Sequence, residues 1–487
     1  MRKGLVVLLA AVVVAMFAVP AMAGTDISGF FRAKAYISNF KDAVSGPTIQ
    51  KDAPASAYVE QRLRVKFAFG EENVKVVWFS EIDFGAWGDT AGSAKNAGLY
   101  GTGAATAPSD TTALGASRNT GGALGADRIN LETKNIYVWF KLPNTSLDFT
   151  VGLQNQTDAY QGLLFGAADM AGVFVNGKME PVTYVLGWSK LYENAIAKAD
   201  DLTLYIASAK FAPTKDLKVG VNFYFLQDDT GKVSSVTASN SVGQLPVDPG
   251  ASLYKQRVYV PGIDVAFNAG PVALSGFFLY ESGKKDFLAP ATADIDITGY
   301  ALDLRGDVNV GPGKAFLEGL YVSGGDDPTV KYKSILTLSD VNASPGGNSF
   351  FARTDMSILL SNADDINTNQ ALVGAAGGAS SQSPGNGGRG IVHIAAGYTQ
   401  KFSDKLTGKV GAGWLQAAKL TKADQLITFK KKDMGTEVNA NVNYNIMKGL
   451  DFGVYGAYAW LGDFFKPSAT TEADNAYDLH ARLNYAF

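Results

Sequence analysis

The chain has 487 residues, of which 46% are hydrophobic and 18% charged, with 54 glycines, no cysteine and a formal net charge of −3. An aromatic share of 11% excludes a disordered chain, which has fewer aromatic residues and more charge. The absence of cysteine excludes disulfides, thiolate metal sites, iron–sulfur clusters and covalently attached haem. We expect no cofactor, and the slightly acidic balance excludes an electrostatic footprint for nucleic acid.

The first element in chain order is an apolar run of fifteen residues, 5–19, which follows Arg2 and Lys3 and precedes the small residues Ala21 and Ala23. This order is typical of a secretory signal peptide. We therefore predict that residues 1–23 are a signal peptide and that the mature protein is 24–487. No later apolar run reaches the roughly 20 residues that a membrane-spanning helix needs.

From residue 24 onward apolar residues recur at every second position. Between 437 and 446, for example, Val438 and Val442 alternate with Glu437, Asn439 and Asn441. Such segments are strands with one apolar and one polar face. They extend over about 10 to 14 residues, which exceeds the usual globular strand and suits a tilted membrane crossing.

Short and long connectors alternate between these segments. The short ones are 69–73, 142–145, 179–181, 213–216, 270–271, 311–314, 403–405 and 447–449. The longer ones are 41–55, 85–127, 156–171, 194–200, 230–252, 284–293, 327–388, 420–432 and 466–471. Barrels of the bacterial outer membrane have short periplasmic turns and long external loops. We predict an all-β fold, a closed transmembrane antiparallel β-barrel of about 18 strands over 24–487, or 16 if the irregular segments 171–179 and 295–310 are not strands.

The polar face of the early strands is rich in basic residues. Because a lipid-facing Arg or Lys at the bilayer midplane costs about 2–4 kcal/mol, we expect this face to line the lumen. The predicted pore-lining residues are Arg32, Lys34, Glu60, Arg62, Arg64, Lys66, Arg128 and Lys134.

The third long connector, 156–171, carries two further candidates for the pore wall, Asp158 and Asp169. If this loop folds inward, both carboxylates are expected to face Arg62, Arg64 and Arg128 across a constriction. Opposed charges of this kind favour small polar solutes over apolar ones. The alternative is that the loop caps the rim and the arginines are only solvated.

The other loops and the aromatic residues suggest plainer roles. The connector 327–388 ends in a Gly/Ser/Asn-rich run without the lysine and helix that a phosphate cradle needs, so we interpret it as an exposed loop. Aromatic residues such as Tyr137 and Trp139 lie toward strand ends, where we expect them in girdles at the membrane interfaces.

The chain ends in Leu483, Tyr485 and Phe487 at alternate positions, which resembles the insertion signal of bacterial outer-membrane barrels. Together with the signal peptide and the connectors, this ending makes the chain similar to a bacterial outer-membrane porin. Residues 58–64, 71–75 and 81–87 resemble the homotrimeric porins of sulfate- and metal-reducing bacteria. The resemblance implies a homotrimer in which the second loop, 85–127, contacts a neighbouring subunit.

We therefore expect a protein of the Gram-negative outer membrane, reached by Sec-type export, whose partners are membrane lipid and small polar solutes and ions. Its expected function is passive diffusion with a mild preference for anions. Two alternatives stay open: a substrate-specific exporter of the alginate-channel type and a barrel sleeve for a periplasmic multihaem cytochrome. We do not expect an enzyme, because His393 and His480 lie on separate strands without a nucleophile and an orienting acid.

Overall fold

The structure is a computed structural model. It describes residues 24–39, 55–84, 87, 131–193, 196, 198–231, 254–287, 293–341, 351, 353, 356–360, 372, 383–466 and 468–487. The predicted signal peptide, most of the second loop and Arg128 lie outside the described residues.

The described chain is built almost entirely from long strands. They are β1 (Gly24–Ser38), β2 (Ser56–Glu71), β3 (Val74–Phe84), β4 (Glu132–Lys141), β5 (Leu147–Gln156), β6 (Ala168–Met179), β7 (Val182–Tyr192), β8 (Leu202–Phe211), β9 (Leu217–Asp228), β10 (Tyr254–Ala269), β11 (Val272–Phe287), β12 (Ile295–Val310), β13 (Gly313–Val322), β14 (Lys331–Tyr332), β15 (Ile391–Lys401), β16 (Leu406–Ala417), β17 (Asp433–Met447), β18 (Leu450–Leu461) and β19 (Ala476–Ala486). One-turn helices lie at Leu338–Val341 and Lys422–Gln425, and 3₁₀ turns at Asn386–Gly388 and Asp463–Phe465.

Eighteen of these strands form one closed antiparallel ring. The first strand closes it, because Arg32 of β1 lies opposite Arg62 of β2 and also opposite Asn484 of the last strand. The two-residue β14 is outside the ring and pairs in parallel with the start of β12. The predicted fold is confirmed, with 18 strands rather than 16, since both segments that looked irregular form the regular strands β6 and β12.

All eight predicted short turns separate strands that pair with each other. Gly270 and Gly311, with φ of 62° and 57°, allow two of these turns to contain only two residues. The longer connectors leave from the opposite end of the barrel. Within the described ranges, no helix is long and apolar enough to cross a membrane.

The two faces of the sheet differ as the alternation predicts. On the outer face Val221 and Leu304 are 60% and 63% exposed, whereas the adjacent inward residues Asn222 and Asp303 are 1% and 2% exposed. A water-soluble domain would show the reverse arrangement. Large apolar side chains on the outside therefore fit a hydrocarbon environment, and the inner face holds the polar groups.

The buried apolar cluster lies inside the barrel and not between two layers of sheet. It joins inward residues of β6, β8–β13 and β15–β19 to residues of two loops, the third loop (157–167) and the long loop (323–390). Both loops thus enter the lumen in the parts that the structure describes, and their placement decides which part of the wall remains open.

Candidate functional site: a lumen with a filled side and a basic side

The third loop is shaped by a single buried carboxylate. Asp158 accepts hydrogen bonds from the backbone N–H groups of Tyr160, Gly162, Leu164 and Phe165, at 2.7, 3.0, 2.6 and 2.7 Å. Burial raises the pKa of the Asp158 carboxyl to about 6, although the four donors favour its charged form. The loop is therefore organised around Asp158, whose oxygens are directed to its own backbone.

Apolar side chains of the third loop pack on the inner wall of the barrel. The Tyr160 ring lies 5.7 Å from the ring of Tyr224 on β9 and 5.3 Å from that of Phe277 on β11. Gly262 on β10 has no Cβ, and a Cβ there would collide with the Tyr160 hydroxyl. This close approach explains the glycine and fixes the loop against β9–β11.

The long loop is held in the lumen by carboxylates of the wall. Glu281 on β11 accepts from the N–H of Leu336 at 2.9 and 3.1 Å. Glu437 on β17 accepts from the N–H groups of Ser357, Ile358 and Leu359, at 2.7, 3.0 and 2.9 Å. Each contact satisfies a buried acid and buried amides at the same time, which makes it costly to break.

An arginine of the long loop adds a third anchor. Arg353 donates to Asp303 of β12 at 2.8 Å and to Ser275 of β11 at 2.5 Å. Its backbone carbonyl accepts from Arg305, which also contacts Glu318 at 2.9 Å. These charged groups of β11–β13 are thus used to bind the loop.

The interpretation of 327–388 as an exposed loop is therefore wrong for its described residues. Tyr332, Ile335, Ile358 and Leu359 are completely buried. The physical reason is that the apolar side chains of the segment 356–360 find an apolar environment inside the barrel, where Glu437 accepts from the amides of 357–359. Gly413 on β16 makes room for Met356, because a Cβ there would collide with the methionine sulfur.

The two loops also contact each other, through a hydrogen bond of 3.0 Å from the N–H of Leu338 to the carbonyl of Leu164. Together they cover the inner wall from β9 to β17. We call this the filled side of the lumen.

Outside the filled side, β19 and β1–β3 carry a series of inward basic residues that we call the basic strip. Its members are Arg32, Lys34, Arg62, Arg64, Lys66, Lys75 and Arg482. The register places Arg482 opposite Lys34 and Arg32 opposite Arg62, while Arg64, Lys66 and Lys75 continue toward the short turns.

Glu81 of β3 partly neutralises the positive charge of the basic strip at its centre. Its carboxylate forms ion pairs with Arg62, at 3.4 Å, and with Arg64. Glu60 is used differently, since it accepts a hydrogen bond from the hydroxyl of Tyr36. The role of Glu81 was not predicted from the sequence, although the alternation of apolar and polar residues in β3 indicates its inward position.

The two acids predicted to oppose the arginines have other partners. Asp158 binds the backbone of its own loop, as described above. Asp169 belongs to β6, because the strand begins at Ala168, and it contacts Lys134 at 2.8 Å, Asn135 at 2.8 Å and Asn155 at 3.0 Å. The observed partner of Arg62 and Arg64 is thus a neighbour on the same wall. A pore-lining role for the predicted residues stays a prediction.

Two aromatic residues expected in the interfacial girdles face the lumen instead. Tyr137 and Trp139 lie opposite Val77 and Lys75 of β3 and line a recess together with Lys66. The alternation of β4 places both residues on its inward face. The expectation of a girdle used only their nearness to a strand end, which does not show the direction of a side chain.

The two histidines are both buried, His393 on β15 and His480 on β19. In the part of the chain that the structure describes, no group of three or more His, Cys, Asp and Glu side chains is arranged to hold a metal ion.

The closed 18-stranded ring, with its apolar exterior and polar inward residues, defines the class of protein: an antiparallel β-barrel of the outer-membrane type. No protein-family model matches the chain, and no curated protein is similar to it. Solved structures do match over nearly the full length of both chains.

Acinetobacter baumannii OccAB2 has 10% identity and a TM-score of 0.54, over 95% of this chain and 98% of that chain. Pseudomonas aeruginosa OccK9 (OpdG) has 13% identity and a TM-score of 0.53, over 95% and 98%. A BenF-like porin from Pseudomonas fluorescens Pf-5 has 10% identity and a TM-score of 0.50, again over 95% and 98%.

At these identities the likeness shows a common fold. The chain has the fold of bacterial outer-membrane porins, as predicted, and its structural neighbours are porin channels and not enzymes. The narrower resemblance to porins of sulfate- and metal-reducing bacteria stays a prediction.

Proposed function

We propose that the protein is a porin of the Gram-negative outer membrane, through which small hydrophilic solutes and ions diffuse passively, with a preference for anions. The observation that carries the proposal is the position of the basic strip on β19 and β1–β3, outside the wall from β9 to β17 that the described parts of the two inward loops cover. Transport is driven by the solute gradient and needs no cofactor.

The spacing within the strip supports attraction of anions. Strands rise about 3.3 Å per residue, so successive inward side chains lie about 7 Å apart along one strand. This spacing is below the Debye length of about 8 Å at physiological ionic strength, so neighbouring charges act together. At the centre one carboxylate, Glu81, contacts two guanidinium groups, which leaves a positive balance among these three residues.

The filled side supports a channel for small solutes in preference to the two alternatives. A barrel that holds a multihaem cytochrome needs a wide lumen, whereas this lumen contains the third loop and the long loop. An exporter of an acidic polysaccharide shares the basic wall but must pass a polymer. Block of the conductance by such a polysaccharide would favour the exporter.

Reversal potentials in planar bilayers with a KCl gradient test the proposal. We expect anion selectivity for the unaltered protein and a shift toward zero for Arg62→Ala combined with Arg64→Ala. Lys314→Ala is the matched control, because Lys314 is an inward lysine of β13, outside the basic strip. Clear cation selectivity, unchanged by the arginine substitutions, would contradict the assigned role of the strip.

We also propose that the protein is exported after removal of residues 1–23 and assembles as a homotrimer. The trimer rests on the sequence resemblance. A concave strip of small outward residues supports close contact with another subunit, and it includes Ala396, Ala412, Ala440 and Gly456 on β15–β18. Oligomeric bands on a gel that collapse to a monomer on heating test this assembly.

A further inference from the structure

The lumen wall has a recess of about 610 Å³ near the short turns, where the basic strip ends. It lies on β1–β5, and no residue of the third loop or the long loop is among its lining residues, although Gln154 and Asn155 at the end of β5 are. Its apolar part is formed by Ala68, Val77, Tyr137 and Trp139, and a cation, Lys66, lies among them. A concave site with an aromatic surface and a few polar groups is the usual form of a small-molecule site.

The aromatic surface is held in position before any ligand arrives. The indole N–H of Trp139 donates to Asp148 of β5 at 3.2 Å, and Asn176 of β6 donates to the same carboxylate oxygen at 2.8 Å. In the pairing of β3 with β4, Val77 lies opposite Tyr137 and Lys75 lies opposite Trp139, so the two rings are neighbours on the inward face. A ring fixed by neighbouring strands loses little conformational freedom when a ligand stacks on it.

The ion pairs around the recess indicate which of its lysines is left to bind an anionic ligand. Lys75 already pairs with Asp26, at 3.5 Å. Glu72 lies in the turn between β2 and β3, at the mouth of the recess. Lys66 is exposed to the lumen, and no carboxylate pairs with it among the residues that the structure describes. Lys66 is thus the ammonium group that the recess itself offers to a bound anion, and a second one, that of Lys141, lies 5.7 Å from the centre of the Trp139 ring.

We propose that this recess binds small aromatic anions, whose ring packs on Tyr137 and Trp139 while the anionic group pairs with Lys66. The inference deepens the proposed function, on which it rests, by naming the class of anion that the channel retains. An aromatic body gains stacking on the two rings, whereas an aliphatic anion of the same charge gains only the ion pair. The basic strip delivers anions to this point because Lys66 continues the series formed by Arg62 and Arg64.

The test is concentration-dependent block of single-channel current by phenylacetate, with acetate and benzyl alcohol as reference solutes. For the unaltered channel we expect phenylacetate to bind about tenfold more tightly than acetate, since the ring contributes stacking and burial. Benzyl alcohol, which has the ring without the charge, should bind more weakly than phenylacetate. Equal block by phenylacetate and acetate would overturn the proposal.

Variants separate the charge from the ring. Lys66→Gln should weaken the block by phenylacetate about tenfold, as expected for a lost charge-assisted contact, whereas the control Lys314→Gln should leave it unchanged. Trp139→Leu should abolish the difference between phenylacetate and acetate. Trp139→Phe keeps an aromatic ring and should retain most of that difference. This variant also tests the role of the ring if Trp139→Leu fails to assemble. Equal effects of Lys66→Gln and Lys314→Gln would overturn the site.

The reversal potential, measured on the same channels, distinguishes a failure of the recess proposal from a failure of the proposed function. An anion-selective channel without a preference for phenylacetate refutes the recess and leaves the proposed function intact. A channel without anion selectivity refutes the proposed function, and the recess is then judged by the response of the block to Lys66→Gln and Trp139→Leu.

Discussion

The two sides of the lumen use the same kind of residue for different purposes. On the filled side, the carboxylates of Glu281 and Glu437 accept backbone N–H groups and hold the long loop in place. On the basic side, Glu81 contacts Arg62 and Arg64 and reduces a local excess of positive charge. The difference shows that an inward acid of a barrel acts according to what faces it, a loop backbone or a neighbouring cation.

This division separates two properties of a channel. The filled side sets the width of the passage, since the loops occupy space. The basic side sets the electrostatic potential that a solute meets. Changes on the first side should therefore alter conductance, and changes on the second should alter selectivity.

The largest effect is expected from Glu437→Ala. Three amides of the long loop, those of residues 357–359, lose their acceptor, at a cost of about 1–3 kcal/mol for each buried group left unpaired. The loop should leave the wall, and single-channel conductance should rise roughly twofold or more, because the narrowest section limits conduction. Asp451→Ala is the control, as this acid contacts only the wall residue Asn445 among the described hydrogen bonds. A similar rise in both variants would contradict the anchoring role.

A smaller effect concerns pH and the third loop. Because the pKa of Asp158 is raised to about 6 by burial, the packed loop binds a proton more tightly than the open loop does. The packed form is therefore most stable at low pH and loses up to about 3 kcal/mol as pH rises from about 4 to above 6. Open-channel current noise should increase over this range.

Asp158→Asn should reduce the pH dependence of that noise. Burial also raises the pKa of Asp340, in the long loop, to about 6, so Asp340→Asn should remove a further part. The comparison must therefore include both single variants and their combination. A noise profile with the same slope in all four proteins would show that neither acid governs loop packing.

The smallest effect is expected from Glu81→Gln on the basic side. Removing the charge of Glu81, which contacts both guanidinium groups, makes the strip more positive without changing its shape. The anion-to-cation permeability ratio should rise by a factor of about two, since partly solvated ion pairs are worth about 1 kcal/mol or less, while conductance in high salt stays close to that of the unaltered channel. A fall in the ratio would place Glu81 outside the ion path.

The strand count and the facing of the wall follow from local patterns and were predictable. Val438 and Val442 are outward and exposed, as their alternation with Glu437, Asn439 and Asn441 indicates. The destinations of the loops were not predictable in this way. The apolar run 163–165 in the third loop and the largely apolar run 356–360 in the long loop indicate burial. Neither run indicates against which strands of the barrel it packs.

The individual site residues show the same limit. Parity placed Arg62 and Arg64 on the polar face, yet their partner is Glu81 and not Asp158 or Asp169. A partner across strands depends on register and on rotamers, which no single segment encodes. The inward positions of Tyr137 and Trp139 were also missed, because nearness to a strand end was given more weight than the alternation of β4.

The sequence by itself determined that this chain forms a closed barrel with short turns at one end, because its alternating strands are long enough to cross a bilayer and a sheet whose apolar face meets lipid must pair both edges. Only the tertiary structure decided which half of the lumen remains open. That choice depends on contacts between residues far apart in the chain, such as Glu437 with 357–359, whose energies exist only once the ring has closed.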